Sequence, residues 1–162
     1  MTHTETPGIP SAGRRAKGPV ACIECFQHIP CNPCEAACPH GAIRIGDEIT
    51  DLPRLDEDRC VGCGLCVAMC PGLAIFLVDE SRGDADRVSF PYEYLPLPVP
   101  EEDVTCVDRD GRPAARGKVV RTLAAPSFDR TAVVTVDVPK GTAMTVRSVD
   151  RKSVGKGGAG ND

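Results

Sequence analysis

The chain has 162 residues, a formal net charge of −4, 41% hydrophobic residues, 4% aromatics and no tryptophan. That is enough for one domain, or one domain with a small second one, around a core of Val, Ala, Leu and Ile in place of stacked rings. Sixteen glycines and 15 prolines exclude a long-helix bundle, and the longest apolar run, Leu73 to Val78, is far short of the ~20 residues that span a bilayer.

Taken in chain order, residues 1–18 are rich in Thr, Pro, Gly and Arg, without apolar periodicity, and read as a disordered tail. They contain no apolar signal region, and Arg14-Arg15 is followed too soon by cysteines for a twin-arginine leader. A cytoplasmic chain with reduced cysteines is the expectation. Residues 19–80 form the next unit and hold nine of the ten cysteines; residues 21–80 carry 10 acidic against 3 basic side chains. That acidity argues against nucleic acid, which requires a basic face.

This unit repeats itself. Cys34-Glu-Ala-Ala-Cys38-Pro39-His-Gly-Ala42-Ile43 aligns with Cys66-Val-Ala-Met-Cys70-Pro71-Gly-Leu-Ala74-Ile75 at a constant offset of 32 residues. The repeat predicts two half-domains about a pseudo-two-fold axis. Each has a cysteine loop, a helical turn (Pro33–Ala37, Gly64–Met69) and a short strand (Ala42–Ile45, Ala74–Val78). A polar, turn-forming link at 81–86 then separates a small β domain, residues 86–150. Its strands are expected at Val104–Val107, Lys118–Arg121, Thr131–Val138 (Val134, Val136 and Val138 on one face) and Met144–Val149, closing into a barrel or sandwich. Phe90–Pro100 has too many prolines for a helix or a central strand. Residues 151–162 read as a flexible Gly-rich tail. The fold class expected is α+β.

The chemistry lies in the cysteines. Cys60-Val-Gly-Cys63-Gly-Leu-Cys66-Val-Ala-Met-Cys70-Pro71 is C-x2-C-x2-C-x3-C-P, in which three thiolates wrap one [4Fe–4S] cube and the fourth ligates the other cluster. Gly62 and Gly64 permit the torsions such tight loops need. The first half has one cysteine more than it needs. Its ligands could be Cys22, Cys25, Cys34 and Cys38. They could also include the triplet Cys25, Cys31 and Cys34, or His28 in the first position of the standard spacing. Disulfides are disfavoured by paired C-x2-C motifs without a secretion signal, and the run ending at Cys70 does not suit a tetrahedral zinc knuckle. Cys106 reads as a buried structural thiol, and His40, after a ligand cysteine and a proline, as a turn residue beside a cluster.

Residues 20–78 resemble the bacterial-type two-cluster 2[4Fe–4S] ferredoxins, with the long loop in the first motif. The resemblance implies one cluster on Cys22, Cys25, Cys34 and Cys70 and the other on Cys38, Cys60, Cys63 and Cys66, with electron transfer as the function and no catalytic residues in this chain. The Gly-rich C-terminal stretch, which includes Gly155, Gly157 and Gly160 at G-x-G-x-x-G spacing, lacks the strand–helix context of a dinucleotide site, and no P-loop pattern or nucleophile–base pair is present. The proline-rich arm Pro91–Pro100, with Tyr92, Tyr94, Leu95, Leu97 and Val99, suits docking. The chain also resembles the ferredoxin-like small subunits of flavin-dependent amine or amino-acid dehydrogenase complexes, which implies a flavoprotein partner. A free-standing ferredoxin with an appended β domain and an iron–sulfur redox or oxygen sensor are the alternatives.

Overall fold

The computed structural model describes residues 7–155. Its elements are α1 (Ala12–Arg15), β1 (Val20–Ile23), α2 (Pro33–Ala37), β2 (Ile43–Arg44), β3 (Arg54–Leu55), α3 (Leu65–Met69), β4 (Ile75–Asp79), β5 (Asp86–Tyr92), β6 (Asp103–Val107), β7 (Pro113–Leu123), β8 (Ala132–Val138) and β9 (Ser148–Val149). Two short 3-10 turns lie at Pro126–Phe128 and Arg151–Ser153. None of the described helices is long and apolar enough to cross a membrane.

One seven-stranded sheet, in the order β1-β4-β5-β8-β7-β6-β9, carries the molecule, and β2 pairs with β3 alone. In place of a separate barrel or sandwich, the later strands extend the sheet begun by β1 and β4. The link at 81–86 lies in the hairpin between β4 and β5, which pair antiparallel through Leu77↔Ser89 and Asp79↔Arg87. The sheet curls, so that its last strand, β9, packs back onto β5.

Strand alternation sorts the side chains onto two faces. One face packs Val20, Cys22, Phe76, Val78, Val88, Phe90, Val104, Val119, Val134, Val136 and Val138, with Val146, Val149 and Val154 also in this core. The other packs Ala21, Ile23, Ile75 and Val133 with Val67 and Ala68 of α3, and this core holds the buried cysteines Cys34 and Cys66. The valines expected on one face of β8 are on one face.

Four local expectations are corrected. Residues 7–18 are ordered. Ser11 caps α1, the Ile23 N–H donates to the Gly8 carbonyl, and Arg14 donates to the carbonyls of Gly18, Pro19, Glu57 and Cys60. Residues 151–155 are ordered too, with Val154 in the core. The remainders of both expected tails, 1–6 and 156–162, lie outside the described residues. Phe90-Pro91-Tyr92 is the end of β5, a strand inside the sheet. Pro91 is tolerated because β4 pairs with β5 only as far as Ser89, leaving Pro91 to pair with β8 alone. Of Met144–Val149, only Ser148–Val149 is strand, because Val146 turns back on the Thr142 carbonyl.

Candidate metal centre

The local chain explains how the cysteines are presented. At Gly62 (φ 73°) and Gly64 (φ 79°) the backbone takes left-handed conformations that a side chain resists. A Cβ on Gly62 would also stand 2.4 Å from the Pro19 carbonyl oxygen. The tight C-x2-C-x2-C turn is thereby pressed against the N-terminal segment, and Arg14 Nη2 fastens it by donating to the Cys60 carbonyl at 2.7 Å. α2 starts at Pro33, whose fixed φ suits a first helical turn, and both α2 and α3 stop at the cysteine before a Cys-Pro step.

Two cavities result. One is lined by Cys38, Cys60, Cys63 and Cys66 with Ala21, His40, Ile43, Leu65 and Leu77. The other is lined by Cys25, Cys31, Cys34 and Cys70 with Ile23, Ile45 and Ile75. Each cavity takes its fourth cysteine, Cys38 or Cys70, from the opposite half of the repeat. All eight of these cysteines are free thiols.

Cys22 is not brought to either cavity. Its neighbour Ile23 faces the second cavity, so alternation along β1 turns Cys22 through to the other face of the sheet, paired with Phe76 and fully buried. Cys31 occupies the cavity in its place. The signal for this was the uninterrupted apolar run Val20-Ala-Cys-Ile23, which reads as a buried strand. His28 is exposed, with Nδ1 3.1 Å from the Thr50 carbonyl oxygen, away from both cavities. Cys106 is buried, as expected, and burial pushes its thiol up to about 11.

The electrostatics follow the same grouping. Burial pushes Cys66 up to about 12, with Cys60, Cys63 and Cys38 adding repulsion. Burial pushes Cys34 up to about 11, with Cys70 and Cys31 adding to it, and Cys31 is raised by burial and then by Cys70 and Cys25. Cys22 is raised to about 11 by burial, and its charged neighbours are Arg147, Glu24, Arg15 and Arg109, with no cysteine among them.

Thiols such as Cys66 and Cys34, whose ionisation is opposed by burial and by neighbouring cysteines, belong to donor sets that need a cationic centre. Among the described residues, no three His, Cys, Asp or Glu side chains converge closely enough to hold a single ion. Thiols set around the walls of an apolar cavity fit a bulkier group held by all four. The backbone provides for the sulfurs. Ala42 N–H donates to Cys38 Sγ at 3.3 Å and Ala74 N–H to Cys70 Sγ at 3.4 Å, the same contact 32 residues apart, and Ala21 N–H donates to Cys60 Sγ at 3.4 Å.

Known proteins with similar sequences agree with this chemistry. Residues 21–74 match the family model described as a 4Fe-4S dicluster domain. An isethionate sulfite-lyase activating enzyme of Desulfovibrio desulfuricans is 38% identical over 81 residues, which cover 48% of this chain and 24% of that protein. The polyferredoxin-like subunit of an aliphatic sulfonate oxidoreductase of Pyrococcus furiosus is 41% identical over 54 residues, 33% of this chain and 28% of that protein. An uncharacterized ferredoxin of Methanocaldococcus jannaschii is 39% identical over 77 residues, 44% of this chain and 46% of that protein. The chain thus spans less than half the length of these relatives, and no solved structure matches it. With the two cysteine cavities, these matches identify residues 21–74 as a 4Fe–4S dicluster ferredoxin segment, a carrier of [4Fe–4S] clusters for electron transfer.

Proposed function

We propose that the chain is the iron–sulfur relay of a multi-subunit oxidoreductase. In this reading Cys38, Cys60, Cys63 and Cys66 hold one [4Fe–4S] cluster, and Cys25, Cys31, Cys34 and Cys70 hold the other. The observation that carries it is the pair of cavities, each lined by four cysteines, three from one half of the repeat and one from the other. The crosswise placement, the packing of α2 on α3 and the repeated Ala N–H to Cys Sγ contact support two halves related by a pseudo-two-fold axis. When bound, a [4Fe–4S] cluster supplies a one-electron carrier whose potential depends on charge, hydrogen bonds to sulfur and exposure. The chain's own part is to hold the thiolates, to donate N–H groups to Cys38, Cys60 and Cys70, and to keep the cavity walls apolar.

Cys63 is exposed, and so are Val61 and Leu65 beside it and Phe26 and Ile29 beside Cys25, so both cavities lie near surface that a protein partner could cover. The donor we assign is a flavoprotein subunit of an amine or amino-acid dehydrogenase, in the cytoplasm, where thiols stay reduced. This assignment is supported by the resemblance to the small subunits of such complexes. It is also supported by the match between a two-electron flavin and a pair of one-electron carriers. The test is anaerobic purification of the native protein with whatever it assembles with, followed by iron and sulfide analysis, EPR of the reduced state and flavin analysis. About eight irons and a stoichiometric flavin-containing subunit are expected. About eight irons in a chain running alone would make it a free-standing ferredoxin, and zinc without iron would overturn the reading.

A further inference from the structure

The two cavities are not closed by equivalent chain. Cys60 and Cys63 are separated by two residues, whereas Cys25 and Cys31 are separated by five, Phe26 to Pro30. A longer loop has more conformational freedom to lose when it is held in one geometry. All five residues of that loop, Phe26 to Pro30, are exposed, so packing restrains it weakly.

What restrains it comes from outside the ferredoxin segment. Arg147, just before β9 and only 5% exposed, places Nε and Nη2 each 2.8 Å from Glu24 Oε1. Its Nη1 donates to the carbonyls of Ala143 (3.0 Å) and Val146 (2.6 Å), and the guanidinium lies over the Phe76 ring, 4.8 Å from its centre. Arg109, at the tip of the turn between β6 and β7, pairs with the other oxygen, Glu24 Oε2. The same Arg109 guanidinium stands 5.1 Å from the centre of the Phe26 ring. Glu24 and Phe26 are the residues on either side of Cys25. Glu24 is itself tied to the strand by its N–H, which donates to the Ala74 carbonyl at 2.8 Å.

We propose that Arg109 and Arg147 form a clamp that positions Cys25, so that the appended strands hold the long-loop thiolate where two-residue spacing holds its counterpart in the other cavity. The clamp is selective because its charged partner, Glu24, adjoins only the Cys25, Cys31, Cys34 and Cys70 site. Both arginines are positioning residues: they act on the site through Glu24 and Phe26. The proposal rests on the assignment of clusters to the two cavities.

The test compares Arg109→Ala, Glu24→Gln and Arg147→Lys with the unchanged chain, all in the complete protein reconstituted anaerobically. Iron content, the EPR of each reduced cluster and the rate of iron loss to a chelator are measured. The unchanged chain must first show about eight irons; a failure there removes the cluster assignment and not the clamp. Given that, Arg109→Ala should speed loss of one cluster about three-fold, as suits a half-exposed pair. Glu24→Gln, which weakens both arms, should speed it about ten-fold or more, with the second cluster unchanged. Arg147→Lys keeps the charge but cannot reach Glu24, Ala143 and Val146 together, so it should rescue only part of the loss. A shift in the reduction potential of the same cluster alone should accompany these changes. Equal loss of both clusters, or no change in Glu24→Gln, would overturn the clamp. Arg109→Ala removes an exposed side chain, so its result does not depend on a variant that fails to fold.

Discussion

The two cysteine cavities use the same parts in different ways. In the Cys38, Cys60, Cys63 and Cys66 cavity, the C-x2-C-x2-C turn does most of the positioning itself, with Gly62 and Gly64 in left-handed conformations and a single arginine, Arg14, fastening the Cys60 carbonyl from the N-terminal side. In the Cys25, Cys31, Cys34 and Cys70 cavity the first loop is longer, and two arginines, one from the β6–β7 turn and one from just before β9, grip the residues flanking Cys25. One motif can thus be satisfied locally or by long-range contacts. A short loop stores its geometry in backbone torsions; a long loop must import it from packing.

Exchanging the ligands breaks the comparison most directly. Cys31→Ala should lower the iron content from about eight to about four per chain, with loss of the coupled EPR signal, while Cys22→Ala should keep about eight. Loss of iron in Cys22→Ala would return that residue to the ligand set. A weakened shared scaffold should erase the difference. Phe90 is fully buried in the core on the sheet face opposite both cavities, so Phe90→Ala should destabilise the fold by about 3–5 kcal/mol in chemical denaturation and affect both sites alike.

The torsional half of the comparison is sharpened at Gly62. Alanine there meets both a positive φ and the Pro19 carbonyl, so Gly62→Ala should cost about 2–4 kcal/mol and release iron first from the Cys38, Cys60, Cys63 and Cys66 site. Relocation of that loss to the other site would contradict the local account.

The smallest effect serves as a control away from both cavities. Cys106 is raised by burial from 9.0 to about 11, so the folded state favours its neutral thiol. The unfolded chain then releases the proton first as pH rises. The stabilisation is complete below pH 9 and is lost towards pH 11, amounting to roughly 2 kcal/mol. Cys106→Ala should flatten that alkaline decline in equilibrium unfolding and leave the iron content unchanged. An unaltered decline would show that this thiol does not titrate there.

Much of the site was legible in the residues alone. The 32-residue repeat, the C-x2-C-x2-C-x3-C-P run and the helical turns after Pro33 and Gly64 are local properties, and local spacing alone limits where their sulfurs can go. The strands at 103–107 and 132–138 were equally readable from their valine patterns. The errors arose where a residue's role depends on a distant partner. Residues 7–18 look like a polar tail until Arg14 finds the carbonyls of Glu57 and Cys60. Pro91 looks unfit for a strand within a sheet until β4 is seen to stop pairing with β5 at Ser89.

Two cysteine sites and their chemistry can be read from the 32-residue repeat and the C-x2-C-x2-C-x3-C-P run, because two-residue spacings confine the sulfurs of Cys60, Cys63 and Cys66 to one neighbourhood. Which of Cys22 and Cys31 lines the second cavity was settled by strand pairing. That choice depends on the parity of β1, and the parity is set by pairing with β4 more than fifty residues away, Cys22 with Phe76 and Ile23 with Ile75. A shift of one residue in that register would turn Cys22 towards the cavity and Ile23 into the opposite core. The fusion of the late strands onto the same sheet was likewise beyond local reading, because a strand's alternation shows that it has a buried face and not which strand lies beside it.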